Sequence, residues 1–298
     1  MMKYTKTSLT VIEQVEKLKS RGLKFNNVDN AIHCLSNISY FRLRAYTFHF
    51  RLNDLENQPF QDDVTFEGII KIYDFDTKLR LLIFKAIEKI EISFRAQIVY
   101  HYAQNYGSHW QLNNHLFRDL DRYNKHIENL KKEVDRSNEL FIEHYKSKYS
   151  DPIEPPSWMS FEVISFGLLS KMFQNLKKGP EKIILTRHFG LNDVSVLENW
   201  MLSFSILRNI CAHHGRVWNR RLNNIKFPTN PTHRFLSKTS VYRNKLYATL
   251  SCIEYLLNII NQESTFKNCL KDLINSNEYV RLKEMGFPEN WQKEELWR

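Results

Sequence analysis

Glycine occurs only 8 times in the 298 residues of the chain, and that scarcity constrains the fold more than any other single feature. Sheets and phosphate-cradling loops depend on glycine for turns, bulges and close backbone approaches. A chain this long with so few glycines suits helices joined by compact loops. Residues 66 to about 105 supply the clearest case, with Ile69, Ile83, Ile87, Ile90, Phe94 and Ile98 recurring on one side at helical spacing. Asp76 with Arg80, and Glu91 with Arg95, stand four apart beside that stripe. They form either intrahelical ion pairs of about a few tenths of a kcal/mol each or the charged wall of a binding groove.

Other segments carry their own start and stop signals. Thr10-x-x-Glu13 is a capping box, so a first helix is expected from Thr10 to Gly22 with Val11, Val15 and Leu18 on its apolar side. A second is expected from Asp29, carrying Ala31, Ile32 and Leu35. Ser39 to Phe50 interleaves aromatics with Arg42 and Arg44 and is expected to be helical. Helical patterns also cover residues 116–148, which are heavily charged and partly solvent-facing, and Trp158 to Leu176. Asp151-Pro152 through Pro155-Pro156 reads as a loop, and Lys177-Lys178-Gly179-Pro180 as a stop. A further helix is expected from Asp193 to about Ala212, capped by Asp193 or Asn192, and a closing pair over 239–261 and 264–275. The expectation is an all-α fold in one unit, without repeats or flexible linkers.

Lys and Arg number 43 against 33 Asp and Glu, a formal charge of +10. That surplus favours a polyanionic partner, whether RNA, DNA or an acidic membrane surface, without choosing among them. Cys34, Cys211, Cys252 and Cys269 are scattered with no paired spacing, which reads as a reduced, cytoplasmic protein. The amino-terminal residues lack the apolar stretch of a signal peptide, and no apolar run approaches the ~20 residues a membrane span needs. A soluble protein is expected.

Chemistry concentrates between Glu198 and Arg221. Wound as a helix from Leu197, the segment places Leu197, Met201, Phe204 and Cys211 on one side, flanked by Trp200 and Leu207. Arg208 falls in the middle of that stripe. A guanidinium in an apolar face is costly unless an anion or several acceptors meet it. His213 and His214 follow one turn later, then Gly215, which suits a helix end. Arg216, Arg220 and Arg221 come next, with Trp218 among them.

These residue types fit the cleavage of RNA by its own 2′-hydroxyl. A histidine can take or give a proton near neutrality, and an arginine can hold non-bridging phosphate oxygens as charge builds on the phosphorane. Asn209 could orient the phosphate or the histidine. No cofactor is called for, and Cys211 with His213 is a poor start for a metal site, since two steps put them on different helix faces. The same residues admit plainer roles. Arg208 could bind a buried carboxylate such as Glu162, His213 could cap the helix, and Cys211 reads as core. Arg216, Arg220 and Arg221 form either a solvated basic turn or a phosphate track, with Trp218 offering a face to a base. Five steps also leave Arg208 and His213 about 140° apart on an ideal helix. They can flank one pocket only if the helix end unwinds or a second chain contributes.

The string Arg208-Asn-Ile-Cys-Ala-His-His-Gly-Arg-Val-Trp-Asn-Arg220 resembles the signature of the Abi family of bacterial abortive-infection proteins, the AbiD and AbiF group. Leu35-Ser-Asn-Ile-Ser-Tyr-Phe-Arg-Leu-Arg-Ala-Tyr46 is similar to that family's first block, apart from Phe41 where a second tyrosine is usual. Tyr73 to Arg80 and Ile87 to Arg95 resemble its long central helix. Trp158, Glu162 and Ser165-Phe-Gly167 resemble a further block, and Met285-Gly-Phe-Pro288 with Trp291 its tail. The resemblance implies an all-α HEPN-like helical bundle with additional N- and C-terminal helices, one Abi/HEPN-type domain over residues 1–298. Within it, helices of about 8–60 would precede a core of about 66–262 and a tail of 263–298. It implies a metal-independent endoribonuclease in phage defence or as a toxin, with Arg208, Asn209 and His213 catalytic and His214 accessory. A small-RNA or protein antitoxin is an implied partner, and a membrane is not. HEPN nucleases generally combine two motifs, so one motif per chain implies a homodimer with the end of the motif helix at its two-fold interface.

Overall fold

Helix α1 (Val11–Lys19) begins at the expected capping box, where Thr10 accepts from the Glu13 amide and Glu13 reaches back to the Thr10 amide. The computed structural model describes residues 3–4, 7–52, 58–237 and 241–298. Among them it contains twelve α-helices and no strands, only isolated bridges, so the fold is all-α. The residues fall into two compact units, 1–80 with 270–281, and 81–269 with 282–298.

The first unit holds α1, α2 (Val28–Ile38), α3 (Tyr40–Thr47), the opening turns of α4 (Phe66–Tyr106) and the end of α12 (Phe266–Asn275). α2 starts two residues after Asn26, with Asn27 accepting from the Asn30 amide as its cap, one position earlier than expected. Ser39 to Phe50 is helical as expected, ending in a tight 3-10 turn. Leu43 and Tyr46 of α3 are buried with Ile69, Ile72 and Phe75 of α4. The Asp76–Arg80 pair is intrahelical, but it is not a surface pair. Asp76 is 0% and Arg80 4% exposed, and the Tyr46 hydroxyl donates to the same carboxylate oxygen.

The second unit contains the rest of α4, then α5 (Leu120–Arg136), α6 (Leu140–Lys148), α7 (Ser157–Val163), α8 (Phe166–Asn175), α9 (Pro180–His188), α10 (Val194–Ala212) and α11 (Leu246–Ile260). α8 packs against both α5 and α10. α11 is buried on every side from Leu246 to Leu257, as befits a central helix. The expected helix over 158–176 is in fact α7 and α8, because Ser165 leaves helical backbone and caps the Leu168 amide. Residues 116–148 likewise divide at Ser137. α9 was not expected: Gly179-Pro180 does stop one helix, but proline at the first position also suits the start of the next. Lys182 of α9 ties it to α10, its buried ammonium 2.6 Å from Glu198. The helix expected over 239–261 begins only at Leu246, and the first two positions of its expected span, 239–240, lie outside the described residues. Phe287, Trp291 and Trp297 of the tail pack on Tyr247. Gly286 permits this, since it has φ +86° and a Cβ there would lie 2.5 Å from Lys245 Cβ.

Buried tyrosines make a test of this packing. Burial raises the phenols of Tyr46, Tyr102 and Tyr247 well above their ordinary value of 10.0, helped by Asp76, Glu181 and Glu294 respectively. The folded chain therefore holds these protons more tightly than the unfolded chain. Stability present below pH about 10 is lost as pH rises past it. The melting temperature, followed by circular dichroism, is expected to fall steeply above pH about 10. A flat profile there contradicts the burial of these groups.

Candidate active site

α10 is built as its pattern predicts. Asp193 caps it, accepting from the Ser195 amide at 2.8 Å, and Leu197, Trp200, Met201, Phe204, Leu207 and Cys211 are all buried. Arg208 rides on this apolar ridge near its far end, with its side chain 35% exposed. Its guanidinium carbon lies 5.6 Å from the centre of the Phe84 ring, and its Nε lies 3.9 Å from Glu91 Oε2. One guanidinium NH also donates to Asn209 Oδ1 at 3.2 Å. The carboxylate that meets Arg208 is thus Glu91 of α4, where Glu162 was the expected candidate.

Glu91 is shared. Its other oxygen accepts from Arg95, whose guanidinium also donates to the carbonyls of Phe161 and Ile164. The Glu91–Arg95 pair is therefore the intrahelical ion pair of the first expectation, although a buried one. The pair lines a cavity of about 230 Å³ with Phe84, Glu88, Ile92, Glu162 and Arg208. Phe84, Glu88 and Ile92 escaped the sequence reading, although their four-residue spacing on α4 marks a second face beside the apolar stripe.

His213 is the last residue of α10's hydrogen-bonded ladder, its amide donating to Asn209 O at 3.0 Å. Its imidazole is exposed. The chain then closes in a Schellman turn, with the His214 amide bonded to Cys211 O at 3.1 Å and the Gly215 amide to Ile210 O at 2.8 Å. The left-handed residue of that turn is His214, with φ +56°, where Gly215 was the expected one. A histidine tolerates this backbone better than most side chains but still at a cost. His214→Gly is therefore expected to hold or raise stability, by up to about 1 kcal/mol in denaturant unfolding. A clear loss would show that the imidazole itself supports the turn.

The basic turn that follows faces inward. Trp218 is 0% exposed, so it offers no face to a base, contrary to expectation. It is a core residue because the turn folds back under it. One Arg216 NH donates to the carbonyls of Trp218 and Asn219 at 2.6 and 3.1 Å, and Arg220 donates to Arg216 O at 3.2 Å. Arg221 alone of the three is exposed. Asn219 also donates to Glu284 of the tail and accepts from Lys245, just before α11. These contacts make the turn a brace between α10 and the tail. Among the described residues no hydrogen bond joins the Arg208 and His213 side chains: Arg208 lies against Phe84 and Glu91 of α4, and His213 is exposed at the helix end.

Among the described residues no group of three or more His, Cys, Asp and Glu side chains is placed to hold a metal ion, and no helix is long and apolar enough to cross a membrane. No curated protein and no solved structure matches the chain. A family does: the sequence model described as Abi-like protein matches residues 33–219, from within α2 through the whole of α10 to Asn219, leaving 1–32 and 220–298 outside. With well over half its length matched, and with the motif helix inside the match, the chain belongs to the family of Abi-like proteins.

Proposed function

We propose that this protein is a metal-independent endoribonuclease of the HEPN kind, acting in phage defence by abortive infection or as the toxin of a toxin–antitoxin pair. The observation that carries this reading is the pairing of unlike groups at one helix end. Arg208 is a half-buried cation propped between an aromatic ring and a shared carboxylate, and His213 is an exposed imidazole one turn on. His213 takes the proton of a ribose 2′-hydroxyl, and the oxygen attacks the adjacent phosphorus. Arg208 meets the non-bridging oxygens as charge accumulates, with Asn209 holding the guanidinium in place. The bond to the 5′-oxygen breaks, that oxygen takes a proton, and the products are a 2′,3′-cyclic phosphate and a 5′-hydroxyl.

Because five helical steps set the two residues about 140° apart on an ideal helix, the working site is proposed to form in a homodimer, Arg208 of one copy beside His213 of the other. His214 serves the turn, so His214→Gly should retain cleavage. Purified protein should cut single-stranded RNA in the presence of EDTA and leave 2′,3′-cyclic phosphate ends. Cutting that stops on chelation would sink the mechanism. Tight, salt-sensitive binding without turnover at any protein concentration would instead favour a non-catalytic RNA-binding module.

A further inference from the structure

A second cavity is lined by Asn209, whose Oδ1 accepts from Arg208 of the first. It measures about 440 Å³ and lies between α5 and α8, with Lys125, His126 and Asn129 on one wall, Gly167 and Lys171 on the other, and Asn209 at the α10 end. Lys125, Asn129, Lys171 and Asn209 are exposed at its rim. His126 is only 9% exposed, and its Nδ1 makes no hydrogen bond among the described residues. A buried polar atom without a partner is costly in a finished core and ordinary in a site that awaits a ligand. Glu133 also lines the cavity, but its carboxylate accepts from both the amide and the hydroxyl of Ser165 at the start of α8. The wall is open at Gly167, where a Cβ would meet nothing within 4 Å. The Ser165-Phe166-Gly167 block thus shapes this groove rather than the Arg208 cavity.

Two exposed lysines, a buried imidazole and an amide shared with Arg208 suit the phosphates of an extended polyanion. Burial, and then the charges of Lys171 and Arg122, push the His126 imidazole below its ordinary range, with Asp119 opposing. Near neutrality it is therefore a neutral donor and acceptor, and the charge comes from the lysines. In the turn expected to guide the strand, Arg216 and Arg220 each donate to backbone carbonyls and Trp218 is buried, which leaves Arg221 as its exposed arginine.

We infer that single-stranded RNA leaves the Arg208 site along the groove between α5 and α8, its phosphates held by Lys125 and Lys171 and contacted by His126. The inference rests on the ribonuclease reading and extends it to the path of the strand. The probe is a fluorescent single-stranded oligo(U) with methylated 2′-hydroxyls, which binds but cannot be cut by 2′-attack, followed by anisotropy over a range of salt. Lys125→Ala with Lys171→Ala should weaken binding by about tenfold and flatten the dependence of log affinity on log salt by about 1.4, two contacts at about 0.7 each. Gly167→Glu, which places a carboxylate in open space, should weaken it at least as much with the melting temperature held. Arg221→Ala should leave the slope unchanged.

An unchanged slope in the double lysine variant, or a loss that follows Arg221 instead, overturns the groove. Cutting of unmodified RNA by the wild type, measured alongside, separates the two ideas. Cutting with a lysine-independent slope removes the groove and leaves the ribonuclease. Lysine-dependent binding with no cutting does the reverse, and absence of RNA binding removes both.

Discussion

His213→Ala is expected to lower the rate of RNA cleavage at least about a hundredfold, the usual worth of a positioned general base, while barely moving the melting temperature. The two halves of that result come from different parts of the structure. The His213 imidazole is exposed, and what holds the end of α10 is backbone: the His213 amide on Asn209 O, then the amides of His214 and Gly215 on Cys211 O and Ile210 O. Alanine keeps all three bonds, so an activity loss cannot be traced to a loosened helix. Arg208→Ala should cost a comparable factor, but it also uncovers Phe84 and leaves Glu91 to Arg95 alone.

Mixing the two variants adds a sharper outcome. Neither cuts by itself, yet random pairing of the two chains makes half the dimers mixed, and one site in each mixed dimer joins an intact Arg208 to an intact His213. About a quarter of wild-type activity should return if the site is shared across a two-fold axis. If each chain carries its own complete site, nothing returns. Undiminished cutting by both single variants would sink the active-site assignment altogether.

Legibility in the sequence followed the range of the physics involved. The buried stripes of α4 and α10, the Thr10–Glu13 box and the Asp193 cap are set by residues within one or two turns, and the structure contains each of them. Errors began where one signal had two meanings. Gly179-Pro180 ends one segment and opens α9, and Ser165 interrupts a continuous apolar run by capping the helix after it. Arg208 was rightly seen to need an acceptor, but the choice of Glu91 over Glu162 depends on how α4 lies beside α10, which no spacing records. Lys125 and His126 fell within a charged stretch read as partly solvated, and only the packing of α5 on α8 gathers them with Asn209. Trp218 looked like a stacking platform because burial is invisible in a string of arginines.

Asp76→Ala should be the most damaging single substitution in the first unit, costing about 3–5 kcal/mol. Spacing alone puts Asp76 and Arg80 among exposed helical pairs of small effect; burial changes the scale. One oxygen of Asp76 accepts from the Tyr46 hydroxyl at 2.6 Å and from Arg80 at 2.6 Å, while Arg80 also reaches Thr77 Oγ1 at 2.9 Å. Removing the carboxylate leaves a desolvated guanidinium whose charge nothing balances, which is far worse than removing both partners together. The double variant Asp76→Leu with Arg80→Leu should therefore recover much of the loss, since well-packed apolar residues can replace a buried pair at little cost. Because the chain forms two compact units, the effect is best read locally, as faster amide exchange in α3 and the first turns of α4, rather than as one global midpoint. The Tyr46 phenol gives an independent readout: Asp76 is second only to burial in holding its proton, so in the single variant it should ionise at lower pH. A single variant that exchanges like the wild type, or a double variant no better than the single, would mean that the pair is solvated after all and that packing around Tyr46 alone secures this unit.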